Sequence, residues 1–357
     1  MKVIFVNSSL SGGGSERVMT LLANQMAKDG YEVIMVLCIH NEEVYSLEQK
    51  VKAYYLQETN SNGLKMRITR LRGLRNVLKS ENPEIIISFM SQINIYSLIA
   101  SLGLKKKVIV SERADPKQRS KIHRLIENIL YTFFAEHIVF QTEYVKKFFN
   151  HIIKKKSSVI ANPIDISGLC LYSGKRERSI AGIGRLTNQK NFRLLIDAFS
   201  DFDKKKCGYT LHIFGDGPLL EELKQLVSEK NLTQKVIFHG YVNNITQQIH
   251  KFGMYVSTSN FEGISNAMLE SMAMGIPTVC TDCPVGGARM MIQDGINGLL
   301  IPMNDKEALV EAMIKIAEND DMAAQISMEA MRIRENLNLT KIAWKWEELL
   351  ERGYISK

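Results

Sequence analysis

The feature that most constrains this chain is a recurring order of short apolar run, polar turn and amphipathic helix. Val3-Ile-Phe-Val6 is a β-branched run, Asn7 to Ser15 is rich in turn residues, and Glu16 to Lys28 carries Val18, Leu21, Leu22 and Met26 at helical spacing. Gly30 closes that helix and Glu32 to Cys38 reads as the next strand. The second half repeats the order, with a strand-like run Ser179–Gly184, a loop Arg185–Asn191 and a helix Phe192–Phe199. A strand Leu211–Phe214, a turn Gly215–Pro218 and a helix Leu219–Lys230 follow. Further runs at Ile85–Ile87, Val108–Ser111, Ile138–Phe140, Val159–Ile160, Val236–Phe238, Met254–Ser257 and Thr278–Cys280 continue the alternation. Strands separated by helices must pair in parallel, with helices covering both sheet faces. The expected class is therefore α/β, with two doubly wound units that take ligands at the carboxyl ends of their strands.

A length of 357 residues suits two domains. Pro163 and Gly168 punctuate the chain at Asn162-Pro-Ile-Asp-Ile-Ser-Gly168, so the expected domains are 1–165 and 166–338, with a final helical segment 339–357. The longest apolar candidate for a membrane span, Ile129 to Phe140, is interrupted by Glu136 and His137. The start reads as a strand followed by a glycine-rich turn, not as a signal peptide. Five cysteines, an odd and scattered set, point to a reducing cytoplasm. The net charge of +8 is unevenly spread: residues 1–165 hold 24 basic and 15 acidic side chains, and the remainder 22 and 23. The first domain is thus expected to face a polyanion such as a membrane surface, a nucleic acid or a phosphorylated substrate.

Three loops could carry chemistry. In Ser11-Gly-Gly-Gly-Ser-Glu-Arg17, three glycines before a helix would let the backbone approach a ligand and present amides to an anion. A tight strand-to-helix turn would read the same, and Arg17 breaks the dinucleotide G-x-G-x-x-G pattern. Arg185 and Lys190 set a guanidinium and an ammonium five residues apart, which suits a diphosphate, although two solvated loop charges would look no different. Glu262 and Glu270 lie eight residues apart. On one helix that spacing would leave them roughly 80° apart around the axis. Glu270 sits among Ala267, Met268, Leu269 and Met272, where a charge needs a ligand or a partner.

Taken in order, the glycine-rich loop, Gly184-Arg-Leu-x-x-x-Lys-Asn191, Phe214-Gly-Asp-Gly-Pro218, Glu262-Gly-x-Ser-Asn-Ala-Met-x-Glu270 and Ala273-Met-Gly-Ile-Pro-Thr-Val279 resemble the retaining GT-B glycosyltransferases of family four. The resemblance covers essentially the whole chain. It implies two Rossmann-like domains facing a cleft, with a nucleotide-sugar, UDP-linked by likeness, on the C-terminal domain and an acceptor on the N-terminal one. By the same likeness, Arg185 and Lys190 would hold the donor diphosphate and offset charge on the leaving group, with no metal cofactor. Glu270 would take the ribose hydroxyls, and Glu262 with Gly263, Ile264, Ser265 and Asn266 would lie against the transferred sugar and phosphates. Gly13 and Gly14 would meet the donor, Gly215 would shape the floor of its site, and Val242, within Gly240–Asn243, the base pocket. The implied chemistry is transfer of a hexose or N-acetylhexosamine with retention, through an oxocarbenium-like transition state.

One loop departs from many relatives, which carry a histidine there. This chain reads Ser111-Glu-Arg-Ala-Asp-Pro116, so Glu112 and Arg113 become the candidates facing the sugar. Cys280-Thr-Asp-Cys283 lacks the second pair that a zinc site needs. In the basic half, Leu64 to Lys79 reads as an amphipathic helix whose Leu64, Ile68, Leu71, Leu74 and Leu78 share a face, beside a ridge of Lys65, Arg72, Arg75 and Lys79. That pattern suits a membrane surface, and equally a solvated helix packed by its leucines. The expectation is a peripheral enzyme on the cytoplasmic face of the cell membrane, with Arg72, Arg75 and Lys79 meeting the diphosphate of a lipid-linked saccharide or nearby headgroups. A nucleotide-sugar 2-epimerase would share the architecture without an acceptor. A nucleic-acid-binding protein would also be basic, but no aromatic platform is interleaved with the charges.

Overall fold

The computed structural model describes residues 1–40, 43–56, 63–205 and 208–355, the last four by backbone alone. The chain divides into two compact units, Met1–Pro163 with the helix Leu339–Ile355, and Ile164–Asn338. Ser356 and Lys357 of the expected final segment lie outside the described residues, as does Cys207.

The first unit is built on strands β1 (Lys2–Asn7), β2 (Glu32–Leu37), β3 (Lys52–Tyr55), β4 (Ile85–Phe89), β5 (Lys107–Glu112), β6 (His137–Phe140) and β7 (Ser157–Val159). All pair in parallel in the order β3-β2-β1-β4-β5-β6-β7. The central strands are buried along almost their whole length, which is why they read as continuous Val and Ile runs instead of alternating ones. The helix Leu339–Ile355 packs on the helix Gly14–Lys28 and buries Ile342, Trp346 and Leu350. The Trp346 ring meets Phe89, at the end of β4, with centroids 5.5 Å apart.

The second unit holds β8 (Glu177–Ile183), β9 (Thr210–Phe214), β10 (Val236–Gly240), β11 (Phe252–Ser257), β12 (Thr278–Thr281) and β13 (Leu299–Ile301). They form a parallel sheet ordered β10-β9-β8-β11-β12-β13, so both units reverse strand order beside their first strand. That reversal opens a crevice at the carboxyl ends of β1 and β4, and again at β8 and β11. Each unit is therefore a Rossmann-like doubly wound domain. Among the described residues no helix is long and apolar enough to cross a membrane.

Candidate active site

In the second unit the loops after β8 and β11 meet across the strand-order reversal. Lys190 Nζ lies 2.7 Å from Glu262 Oε2, with the two side chains 15% and 21% exposed. The same carboxylate oxygen accepts from Gln189 Nε2 at 3.3 Å and Ser259 Oγ at 3.4 Å. The loops are also stitched together away from the charges. Thr258 Oγ1 donates to the carbonyls of Lys190 and Asn191, and Asn260 Nδ2 to that of Asn188. Lys190 and Glu262 are thus fixed from both sides. Arg185 stands exposed on the same loop, and its guanidinium has no partner among the described residues.

Glu262 lies in the turn before the helix Asn266–Ala273, not on it. Glu262 and Glu270 therefore do not share the one helix that their spacing suggests. Three non-helical residues, Gly263 to Ser265, intervene because Ser265 caps the helix, its Oγ accepting from Met268 N–H. Glu270 is buried on the second turn. A shallow depression is lined by Glu262, Gly263 and Ser265 together with Ser259, Cys280 and Cys283. Ile264 is buried behind it and Asn266 opens the helix. Burial pushes the Cys283 thiol up to about 11 and the Cys280 thiol higher still, so both are inert neutral wall groups.

Two glycines let backbones touch here. A Cβ on Gly215, at φ +131°, would stand 2.0 Å from the Gly184 carbonyl oxygen, and one on Gly287 would stand 1.8 Å from that of Gly263. Gly215 thus holds the turn after β9 against the Arg185 loop. Val242 lies half-buried in the loop after β10.

In the first unit two amides of the glycine loop after β1 are already engaged. Gly12 and Gly13 N–H each donate to Glu16 Oε2 at 3.0 Å, while Ser9 Oγ donates to Glu16 Oε1 at 2.6 Å. At Gly13 the expected anion seat is taken by the chain's own carboxylate, as an acidic third residue in a capping box does, and Gly14 opens the helix.

Glu112 and Arg113, at the end of β5, are both buried. Glu112 pairs with Arg119 at 2.5 Å and accepts from the Tyr131 hydroxyl and from Asn94 Nδ2, and burial raises its carboxyl. Arg119 also pairs with the buried Glu127 at 2.5 Å. The Arg113 guanidinium lies 3.8 Å over the Phe89 ring and donates to Asn162 Oδ1 at 2.7 Å. Its Nη2 is buried without a partner, and desolvation lowers its ionisation to about 9.

The helix Leu64–Glu81 buries only Leu74 and Leu78 of its expected apolar face, and Leu64 is 72% exposed. Arg72 and Lys79 are exposed. Arg75 leaves the ridge, donating to the Ala100 and Leu102 carbonyls at 2.8 Å, where it caps the neighbouring helix Ser91–Ser101. Among the described residues no three His, Cys, Asp or Glu side chains gather as metal ligands would.

Sequence reasoning passed over Glu16, Gln189 and Ser259. Glu16 was visible as the third residue after the turn, but Gln189 and Ser259 carry no pattern of their own.

Residues 12–167 match the family described as Glycosyltransferase Family 4, and residues 177–319 match Glycosyl transferases group 1. The chain belongs to the family-four glycosyltransferases. A Campylobacter jejuni enzyme named as an α-1,4-N-acetyl-D-galactosaminyltransferase of a diNAcBac-PP-undecaprenol saccharide is 27% identical, covering 98% of each chain. A second C. jejuni enzyme, a diphospho-undecaprenol 4-α-N-acetylgalactosaminyltransferase, is 26% identical over 95% of this chain and 96% of its own. Among solved structures, Anabaena HepE in complex with UDP and glucose superposes with a TM-score of 0.84 at 20% identity, covering 99% of this glycosyltransferase and 100% of HepE. The transferase therefore has the GT-B fold.

Proposed function

We propose that this glycosyltransferase moves a hexose or N-acetylhexosamine, with retention, from a UDP-sugar to a lipid-linked saccharide in cell-surface polysaccharide synthesis. The observation that carries the donor half is the Lys190–Glu262 pair at the strand-order reversal of the second unit, beside the exposed Arg185. The two cations would neutralise the departing diphosphate without a metal cofactor, Lys190 as a point charge and Arg185 as a fork. Gly263, Ser265 and Glu270 would hold the donor's phosphates, sugar and ribose. The bond from the anomeric carbon to the diphosphate oxygen breaks as the bond to the acceptor oxygen forms. The acceptor hydroxyl proton passes to the departing diphosphate, which removes the need for a separate base.

The acceptor half is supported by the two C. jejuni relatives, whose names carry undecaprenol-linked diphosphate saccharides. The HepE complex with UDP and glucose supports the donor nucleotide. A lipid-linked acceptor would put the enzyme on the cytoplasmic face of the membrane as a peripheral protein, with Arg72 and Lys79 available to its diphosphate.

A thermal-shift panel of UDP-, GDP- and ADP-sugars tests the donor. A UDP-sugar at about a hundred times its Kd should add about 2.7 kcal/mol of stability. Labelled sugar should then pass to a polyprenyl-diphosphate saccharide, with the anomeric configuration kept by NMR. Stabilisation by another nucleotide alone, or turnover of UDP-sugar without acceptor, would overturn the reading.

A further inference from the structure

The helix Lys121–Phe134 wears its amphipathicity inside out. Ile122, Leu125, Ile126, Ile129 and Phe133 fall within an arc of about 100° at 100° per residue. All five are exposed, Ile122 to 73% and Phe133 to 74%. The opposite side carries Glu127 and Tyr131, and these are the residues the helix buries. Glu127 is held by Arg119 and the Ser91 hydroxyl, and Tyr131 by Glu112 and Asn94. A surface helix of a water-soluble domain shows the reverse arrangement.

The helix is well anchored at both ends. Ser120 Oγ accepts from His123 N–H at the start. Lys156 Nζ donates to the carbonyls of Thr132 and Ala135 at the finish. The apolar arc is therefore a fixed feature of the fold and not the result of a loose segment. The short helix His151–Lys155, tied on through Asn150 Nδ2 to Thr132 Oγ1, adds the exposed Ile152. Five large apolar side chains on one face make a patch on the order of several hundred Å², the size that marks interaction sites.

Charge selects the occupant. Residues 117–156 contain nine Lys or Arg against three Glu, and Arg119 and Glu127 cancel in their buried ion pair, which leaves eight against two. Lys121 on the first turn of this helix, Lys117 just before it, and Lys147 and Lys155 on the segments that follow are all exposed. An apolar stripe flanked by cations fits the interface of an anionic bilayer, where side chains enter the acyl boundary and ammonium groups meet headgroups. Fourteen residues make only about 21 Å of helix, too short to cross the hydrocarbon core, so it would lie in the plane.

We propose that the helix Lys121–Phe134 is the membrane-docking element of this enzyme, inserting Ile122, Leu125, Ile126, Ile129 and Phe133 into an anionic lipid surface. The inference deepens the lipid-linked acceptor reading and gives that reading its surface, but the binding itself is tested without any acceptor.

The test is flotation of the full chain with vesicles of phosphatidylethanolamine and phosphatidylglycerol, and separately of phosphatidylcholine. The wild type should float with the anionic vesicles. The double variant Ile129→Ser, Phe133→Ser should bind roughly thirtyfold less, since two large apolar side chains leave the interface. Its thermal melting should match the wild type, because both positions are solvent-exposed. Replacing Arg72 and Lys79 by Ala should leave most binding in place. Equal flotation of wild type and double variant would overturn the proposal, as would loss of binding confined to the Arg72, Lys79 variant. Lipid-free dimerisation of the wild type that the double variant abolishes would overturn it too, by making the face a contact between copies. Flotation with no sugar transfer to a polyprenyl-diphosphate saccharide would sink the acceptor reading and leave the docking helix standing.

Discussion

The Lys190–Glu262 pair makes the most exacting prediction, because its stability role and its binding role differ in size. Lys190→Ala removes one partner from a 2.7 Å ion pair that is mostly but not fully buried. Exposed pairs contribute up to about 1 kcal/mol, whereas stripping a partner from a fully buried charge costs about 3–5 kcal/mol. Glu262 keeps Gln189 Nε2 and Ser259 Oγ after the change and retains some solvent. The expected stability loss is therefore near the lower figure, about 1–2 kcal/mol. Donor binding should suffer more, because a charge-assisted contact contributes about 1.5–3 kcal/mol, or roughly ten- to 150-fold in Kd. Urea denaturation and calorimetric titration of UDP-sugar into wild type, Lys190→Ala, Glu262→Ala and the double variant close a mutant cycle. Donor affinity within threefold of wild type in Lys190→Ala would refute the assignment. A stability loss above about 4 kcal/mol would refute it differently, showing the pair to be a buried structural bridge.

Two further predictions follow from packing and charge. Gly215→Ala should lose folding stability by several kcal/mol as well as donor binding, because its Cβ would stand 2.0 Å from the Gly184 carbonyl; a normal melting curve would contradict this. Burial and the nearby Asp29 raise the Glu347 carboxyl from 4.5 to about 7. The folded chain then holds a proton that the unfolded chain releases from about pH 4.5 upward. Stability should fall with rising pH between about 5 and 7 and level off above, and Glu347→Gln should flatten that slope in urea midpoints. Parallel profiles for the two proteins would dismiss it.

The sheets were legible where strands are buried on both faces. Ile85 to Ile87 and Val3 to Val6 can be little else, because a central parallel strand has no solvent side. β3 and β13 escaped notice. Lys52–Tyr55 is an edge strand with half-exposed residues, and Leu299–Ile301 is three residues long, so neither carries enough apolar pattern. Lys190, Glu262 and Arg185 were found as motif residues, yet the ion pair between the first two was not, since they are 72 positions apart. The spacing of Glu262 from Glu270 fits a single helix, but the Ser265 cap sets the helix start beyond Glu262. Likewise Leu64–Glu81 had the periodicity of a packed face, but only the turn around Leu74 and Leu78 finds a partner.

What the sequence determined by itself was local: which segments become buried parallel strands, where the turns fall, and which loops carry the charged motifs. These depend on residue type and short-range period, which a linear reading contains. What only the tertiary structure decided was which polar groups are already spoken for. Glu16 occupies the amides of Gly12 and Gly13, Arg75 is drawn into capping a neighbouring helix, and Lys190 is held by Glu262. The same holds for the helix Lys121–Phe134. Its apolar stripe is plain in the sequence, and the ordinary inference is that such a stripe faces inward. A network of Glu112, Glu127, Arg119 and Tyr131 holds the opposite face instead, because buried carboxylates need a cation within reach and the Arg119 guanidinium serves both.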